Sequence, residues 1–349
     1  MKIIYGLSGQ GFGHSARSRE LLRHLVESGH QLKILTYGQS LLLLEEYRDL
    51  IEPIPGLVLI YRGNRLSYSG TIWQNCKKIG LQLSHWRRLK NIFLEFNPDL
   101  VITDFEPLTA RLARKFKKPL ISFDNQHQLI RTKIKKIEKY KKDSWVDKMI
   151  VKTMIGTADY YLITSFFQTE PKYDNTFIFP PIIRKEVREL KNEPGDYILV
   201  YDGSDFGELV PLLKETQEKF IIVNAQKEGE EGNIIYKKYS KLEWLDLLRQ
   251  AKAVIGTAGL SLLGECIYLK KPYLALPIKK QTEQIINAEY LKSLGYGDFA
   301  YHLDQEKLED FISKLADYQN NLARAEGYGN EKLFQKIDEI IEKYKKTVI

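Results

Sequence analysis

Short apolar runs alternate with stretches of helical periodicity along the whole chain. Lys2–Leu7 (KIIYGL) reads as a buried strand, and a polar loop, Ser8 to His14, leads into a helix from Ser15 to Ser28 capped by Gly29. Gln31–Thr36 is the next strand, followed by strands expected at Leu57–Tyr61, Leu100–Thr103, Pro119–Phe123, Ala158–Thr164 and Phe177–Phe179. Trp73 to Phe96 carries a helical pattern that Pro98-Asp99 ends, and a further helix is expected from near Pro107. Pro180-Pro181 and the segment Lys185–Gly195 read as a linker. The pattern then restarts, with strands at Tyr197–Tyr201, Phe220–Asn224, Asn233–Lys237, Ala253–Ile255 and Tyr273–Leu276. Helices are expected between them at Glu208–Lys219, Leu242–Gln250 and Leu260–Leu269, then from the 280s to Gly295, with closing helices at Glu306–Ala316 and Asn320–Lys346. Strand–helix alternation of this kind predicts an α/β chain of two doubly wound, parallel-sheet, Rossmann-like domains. The expected division is 1–180, a linker at 181–195, a second domain at 196–330 and a last helix at 331–349.

Composition narrows the class. The chain has 349 residues, 43% hydrophobic and 28% charged, as in ordinary globular proteins. Its longest aliphatic stretch, Leu41–Leu44, breaks on Glu45-Glu46, far short of the ~18 apolar residues of a membrane span. Cys76 and Cys266 lack metal-type spacing, so a reduced, cytoplasmic chain with no metal site is expected. A net charge of +8 favours an anionic partner. The excess gathers in Arg131, Lys133, Lys135, Lys136, Lys139, Lys141, Lys142 and Lys148. A solvated helix face is one reading of that run, and a docking surface for an anionic membrane is another, which would put the protein peripherally at the inner face of the membrane. No nucleic-acid partner is expected.

Chemistry concentrates at the expected carboxyl ends of the strands, where ligands of such sheets bind. Gly9 and Gly11 match the start of a dinucleotide fingerprint, but His14 stands where the third glycine belongs. The second strand also ends in Thr36-Tyr37, with no acidic residue for a ribose, so a nicotinamide cofactor is excluded. Gly9, Gly11 and Gly13 instead surround His14 with small residues at a helix start. That setting favours a neutral imidazole able to accept a proton. Asp104 either orients His14 or caps the next helix, and Glu106 and His127 lie at neighbouring strand ends. In the second half, Gly203-Ser204 and the turn Gly256-Thr257-Ala258-Gly259 offer backbone N–H groups to a phosphate. Glu265, Glu283 and Gln284 gather at the same end of that sheet, a nucleotide-shaped cluster.

The segment G-x-G-F-G-H-x-x-R (Gly9 to Arg17) and the series Gly256-Thr257, Glu265, Pro272, Pro277, Glu283-Gln284, Asn287-Ala288 resemble two-domain glycosyltransferases of the B fold. Within that fold the chain is similar to the peptidoglycan N-acetylglucosaminyltransferase and the monogalactosyldiacylglycerol synthases, with uncharacterised archaeal and bacterial members nearer still. This resemblance implies two Rossmann-like domains facing across a cleft, with the last helix crossing back to the first domain. It implies a nucleotide-diphosphate sugar, most simply a UDP-sugar, held in the second domain, with Glu265 on the ribose hydroxyls and Glu283 and Gln284 on the sugar. Gly203, Ser204 and Gly256 to Gly259 would lie against the diphosphate and nucleoside. It further implies an acceptor lipid or glycan on the first domain, His14 as general base, inversion at the anomeric carbon, and no cofactor or metal. Epimerisation of the sugar nucleotide, using Asp104, Glu106 and His127, is the alternative on the same fold. A non-catalytic nucleotide-sugar or polyanion binder is the alternative from another class.

Overall fold

A computed structural model of the chain describes residues 1–9, 12–56, 70, 73, 79–134, 141–193, 195–201, 207–223, 228–279, 281–325 and 328–348. The described residues form two compact units, one drawn from residues 1–182 together with 329–349, the other from 183–328.

The first unit holds a seven-stranded parallel sheet: β1 (Lys2–Leu7), β2 (Gln31–Thr36), β3 (Ile51–Pro53), β4 (Leu100–Asp104), β5 (Leu120–Asp124), β6 (Tyr160–Thr164) and β7 (Thr176–Phe179). Their spatial order is β3-β2-β1-β4-β5-β6-β7. The strand order therefore reverses between β1 and β4, where Leu7 is in register with Asp104. Both faces of the sheet are covered, which is why its strands are near-continuous apolar runs. Ile3, Tyr5, Ile102 and Phe123 point to one face, against Leu21, Leu22 and Leu25 of α1 (Phe12–Glu27). Ile4, Val101 and Leu120 point to the other, against Leu89, Ile92 and Phe93 of α2 (Ile79–Phe96), Ala110, Leu112 and Ala113 of α3 (Pro107–Lys115) and Ile155 of α4 (Lys141–Ile155). The C-terminal helix, Glu331–Val348, belongs to this unit and completes the first face through Leu333, Ile337, Ile340 and Ile341.

The second unit repeats the plan with β8 (Tyr197–Tyr201), β9 (Lys219–Val223), β10 (Gly229–Glu231), β11 (Ile234–Lys237), β12 (Ala253–Gly256), β13 (Tyr273–Ala275) and β14 (Gly297–Phe299). The order is β10-β11-β9-β8-β12-β13-β14, parallel except for the β10–β11 edge. The reversal here falls between β8 and β12. Helices α5 (Lys241–Gln250), α6 (Leu260–Tyr268) and α7 (Thr282–Ser293) connect its strands.

Three strands escape the hydrophobic pattern. β3, β10 and β14 are three residues each and lie toward sheet edges, and Gly229-Glu230-Glu231 is exposed throughout. The helix expected over Glu208–Lys219 is shorter, ending at Lys214, because Lys219 already opens β9. The strand expected at Leu57–Tyr61 lies outside the described residues.

Candidate functional site

In the first unit the reversal point between β1 and β4 gathers charge. Asp104, the last residue of β4, is wholly buried. His14 stands in the first turn of α1 with its Nδ1 2.7 Å from Asp104 Oδ1. Arg17, three residues on and so on the same helix face, donates from Nε to Asp104 Oδ2 at 2.8 Å. Its Nη2 also donates to Oδ1, and its Nη1 donates to Asn125 Oδ1 at 2.8 Å. Ser18 Oγ donates to Asp104 Oδ2 at 2.8 Å and accepts from the Tyr5 hydroxyl at 2.9 Å. Burial alone would push the Asp104 carboxyl up, but Arg17 and His14 outweigh it and hold the group far below the usual carboxylate range. A carboxylate so fixed accepts a hydrogen bond from Nδ1–H of His14, which leaves Nε2 as the basic ring atom. Arg17 Nη2 lies 2.8 Å from the same Nδ1, and with the proton on Nδ1 its own N–H is directed to Asp104. His14 keeps 15% side-chain exposure while Asp104 keeps none.

The choice left open at Asp104 is settled by its neighbour. Phe105 adopts a left-handed backbone, φ 54°, and the chain turns there between Asp104 and Glu106. Glu106 is the cap of α3, accepting from Leu108 N at 3.0 Å and Thr109 N at 2.6 Å, with Pro107 at the first helical position. Burial raises its carboxyl despite those bonds. Glu106 lies in the connection after β4 and is buried against α3. His127 lies in the turn after β5 and is 1% exposed, its Nδ1 2.7 Å from Asp124 Oδ2, and its ring packs on Tyr161 at 4.8 Å. At that strand end it is Asn125 that joins the Arg17 network. Gly9 is small for packing rather than for a ligand, since a Cβ there would overlap the Tyr37 carbonyl at 1.7 Å. Gly13 lies one residue before His14 in α1 and is half-buried, and Gly11 lies outside the described residues.

In the second unit the turn after β12 sits beside the end of β8. Gly256 must lack a side chain because the Tyr273 hydroxyl would come within 2.5 Å of a Cβ. That hydroxyl donates to Thr257 O at 2.7 Å, and buried Asn287 donates from Nδ2 to Ala258 O at 2.9 Å. Two turn carbonyls are therefore tied down ahead of α6. Gly259 caps α6 with no side-chain cap bond, and a Cβ on it would meet open space. Glu265, on α6, is 4% exposed and receives a two-pronged bond from Arg184: Nε to Oε1 at 2.6 Å and Nη2 to Oε2 at 2.8 Å. Burial would lower the Arg184 guanidinium, and the Glu265 carboxylate raises it instead. Tyr239, 42% exposed, lies within electrostatic reach of both and near Trp244, which packs edge-on to Tyr201 at 5.0 Å. Glu283 is half-buried in the first turn of α7, where a carboxylate suits the helix dipole. Gln284 is buried and its Oε1 accepts from Ile278 N at 2.9 Å, so part of its side chain holds the preceding loop. Gly203 and Ser204 lie outside the described residues.

Arg17, Asn125, Arg184 and Tyr273 are the members that residue-by-residue reading misses. Arg17 had a signal in its i+3 spacing from His14, whereas Arg184 sits in a segment that reads as linker.

Comparison with known proteins gives the architecture its family. An uncharacterised glycosyltransferase of Methanosarcina acetivorans is 23% identical over 364 residues, covering 95% of each chain. The UDP-N-acetylglucosamine–N-acetylmuramyl-(pentapeptide) pyrophosphoryl-undecaprenol N-acetylglucosamine transferase of Clostridium botulinum is 32% identical over 150 residues, 38% of this chain and 42% of that one. Among solved structures, the kitacinnamycin glycosyltransferase matches with a TM-score of 0.68 at 16% identity over 98% of both chains. Acinetobacter baumannii MurG matches at 0.63 and 14% identity, over 98% of this chain and 99% of that one. Both share the arrangement of two Rossmann-like domains known as the glycosyltransferase B fold. Residues 1–316 match the profile of glycosyl transferase family 1, and the chain is a glycosyltransferase belonging to that family.

Proposed function

We propose that the enzyme moves a sugar from a nucleotide-diphosphate sugar to an acceptor hydroxyl in one inverting displacement, with His14 as general base. The observation that carries this reading is the 2.7 Å contact between His14 Nδ1 and the buried Asp104 carboxylate. With Nδ1–H directed to Asp104, Nε2 takes the acceptor's hydroxyl proton as its oxygen bonds to the anomeric carbon. The anomeric carbon–oxygen bond breaks on the opposite side, and its electron pair leaves with the nucleoside diphosphate. Departing charge is met by backbone N–H groups of the Gly256–Gly259 turn and the N-terminus of α6, which needs no metal. Asp104 acts through His14 and is a positioning residue. In this reading Glu265 accepts from the ribose, and Glu283 and Gln284 bond the sugar hydroxyls. A UDP-sugar donor is favoured by the Clostridium relative's named substrate, while three structural neighbours are complexes with thymidine diphosphate. Epimerisation is the weaker reading, because Glu106 and His127 are committed to a helix cap and to packing.

Turnover of a panel of sugar nucleotides by His14→Ala is the direct test. A loss of about 10²–10⁴-fold in kcat with donor KM little changed is expected for a general base. Full activity in that variant would overturn the assignment.

A peripheral membrane position is supported by one stripe of α4. Trp145 is 64% exposed and Met149 43%, with exposed Lys152 and half-buried Lys148 on the same face. Aromatic and cationic side chains so arranged suit an anionic interface. No described helix is long and apolar enough to cross a membrane. Co-sedimentation with phosphatidylglycerol vesicles, weakened by Trp145→Ala and by salt and absent with phosphatidylcholine, is the expected result. Equal recovery with both vesicles would remove this reading.

A further inference from the structure

We infer that Arg184 is the positioning residue that sets the nucleotide site's preference for a ribose over a 2′-deoxyribose. The inference rests on the proposed contact between Glu265 and the ribose, and adds a residue that contact depends on. A carboxylate offers about four lone-pair directions, and an Arg fork occupies two of them in one plane. The Arg184 fork does this at 2.6 and 2.8 Å, so the carboxylate plane of Glu265 is fixed and two in-plane directions remain for hydroxyl donors. Without the fork, the side chain would rotate, and its cost of burial would be met by whatever donor came nearest.

Arg184 is itself held from the backbone. Ile183 before it and Val187 after it are fully buried. Its carbonyl accepts from Val187 N and Arg188 N, both at 3.0 Å, in the short helix Lys185–Arg188. The guanidinium thus reaches Glu265 from a fixed point 81 positions away in sequence. Lysine could replace its charge but not its geometry, since one ammonium cannot span both carboxylate oxygens in plane.

Discrimination follows from chemistry. A buried carboxylate aligned for two adjacent hydroxyls loses a donor when the 2′-hydroxyl is missing, and sites built to hydrogen-bond a hydroxyl reject its absence strongly. A carboxylate free to rotate recovers part of that loss with the 3′-hydroxyl alone. Arg184 therefore acts on the ratio of affinities, and an effect on folding alone would scale both nucleotides equally.

The test is calorimetric titration of the full chain with uridine diphosphate and 2′-deoxyuridine diphosphate, repeated with other base pairs of probes and read for the one that binds best. Wild type is expected to favour the ribonucleotide at least about tenfold, and Arg184→Lys to bring the two within about threefold while keeping a cooperative melting transition. If Arg184→Lys does not fold, Arg184→Gln, which keeps one N–H donor for Glu265, is read in its place by the same criterion. A variant that binds with the wild-type ratio overturns the positioning role. A wild type that binds both sugars equally instead overturns the Glu265–ribose contact beneath it.

Discussion

Asp104 concentrates more of the molecule's electrostatics than any other described side chain. Wholly buried itself, it accepts from Arg17 and Ser18 and faces His14, so its charge is stabilised by partners that exist only in the folded chain. The folded carboxyl lies below the unfolded value of about 3.9, so the unfolded chain binds the extra proton as pH falls. The stability it contributes is fully present above about pH 4 and is lost as pH drops through that value toward the folded one. Acid unfolding followed by circular dichroism should show Asp104→Asn less sensitive to pH between about 4 and 2 than wild type, from a lower starting stability. Lys271, at the other end of the scale, is a cost to stability where Asp104 is a gain, with the same direction of pH dependence. Burial lowers its ammonium to about 8, with Nζ donating to Arg249 O at 2.6 Å. Between pH 8 and the unfolded value of about 10.4 the unfolded chain holds more protons, so this group's cost to stability is full below pH 8 and fades as pH rises. Urea midpoints of wild type and Lys271→Met at pH 7.5 and pH 10 should differ in that sense, with wild type gaining on the variant at the higher pH. An unchanged gap would mean that the Lys271 amine does not titrate in this window.

At the scale of elements, the glycine turn before α6 is braced by side chains from two neighbouring elements. Its Thr257 and Ala258 carbonyls are satisfied by Tyr273 Oη from β13 and Asn287 Nδ2 from α7. Removing the Tyr273 hydroxyl should loosen the turn without emptying the core around the ring. Tyr273→Phe is expected to weaken nucleoside diphosphate binding by about 5- to 10-fold, the value of one hydrogen bond, and to leave nucleoside binding unchanged. Equal weakening of both ligands would place the effect in the fold rather than in the turn. Much of this level was legible in the residues. Continuous apolar runs bounded by Gly and Pro located most strands to within a residue or two, because strands buried on both faces have no polar alternation to confuse them. The His14 loop and the Gly256–Gly259 turn stood out for the same reason. What stayed hidden was pairing at a distance. Nothing local distinguishes Glu106, a buried cap, from Asp104 two residues earlier, and Arg184 meets Glu265 only because the fold brings them together. The edge strands β3, β10 and β14 were hidden because runs of three residues are too short to carry a periodic signal.

At the scale of the molecule, the chain's last helix is part of its first unit. Glu331–Val348 lays Leu333, Ile337, Ile340 and Ile341 on the same face of the sheet that α1 covers, and its edge is fastened by His24. The His24 ring stacks on Phe334 at 4.4 Å with 8° between planes, and its Nε2 lies 2.9 Å from Asp338 Oδ1. That polar contact is half-exposed and contributes little, so the apolar seam does most of the fastening. The sheet that carries Asp104 thus cannot bury this apolar face until Glu331–Val348 has docked. Ile337 has no exposure, and truncating a buried isoleucine to alanine costs about 2–5 kcal/mol through lost burial and the cavity left behind. Ile337→Ala should therefore lower the melting temperature of the first unit, and His24→Ala should lower it less. Ending the chain at Asn330 would strip the whole seam and leave an apolar face open, for which aggregation on expression is the expected outcome. Differential scanning calorimetry decides the matter: if Ile337→Ala melts as wild type does, the C-terminal helix is not what completes the first unit's core.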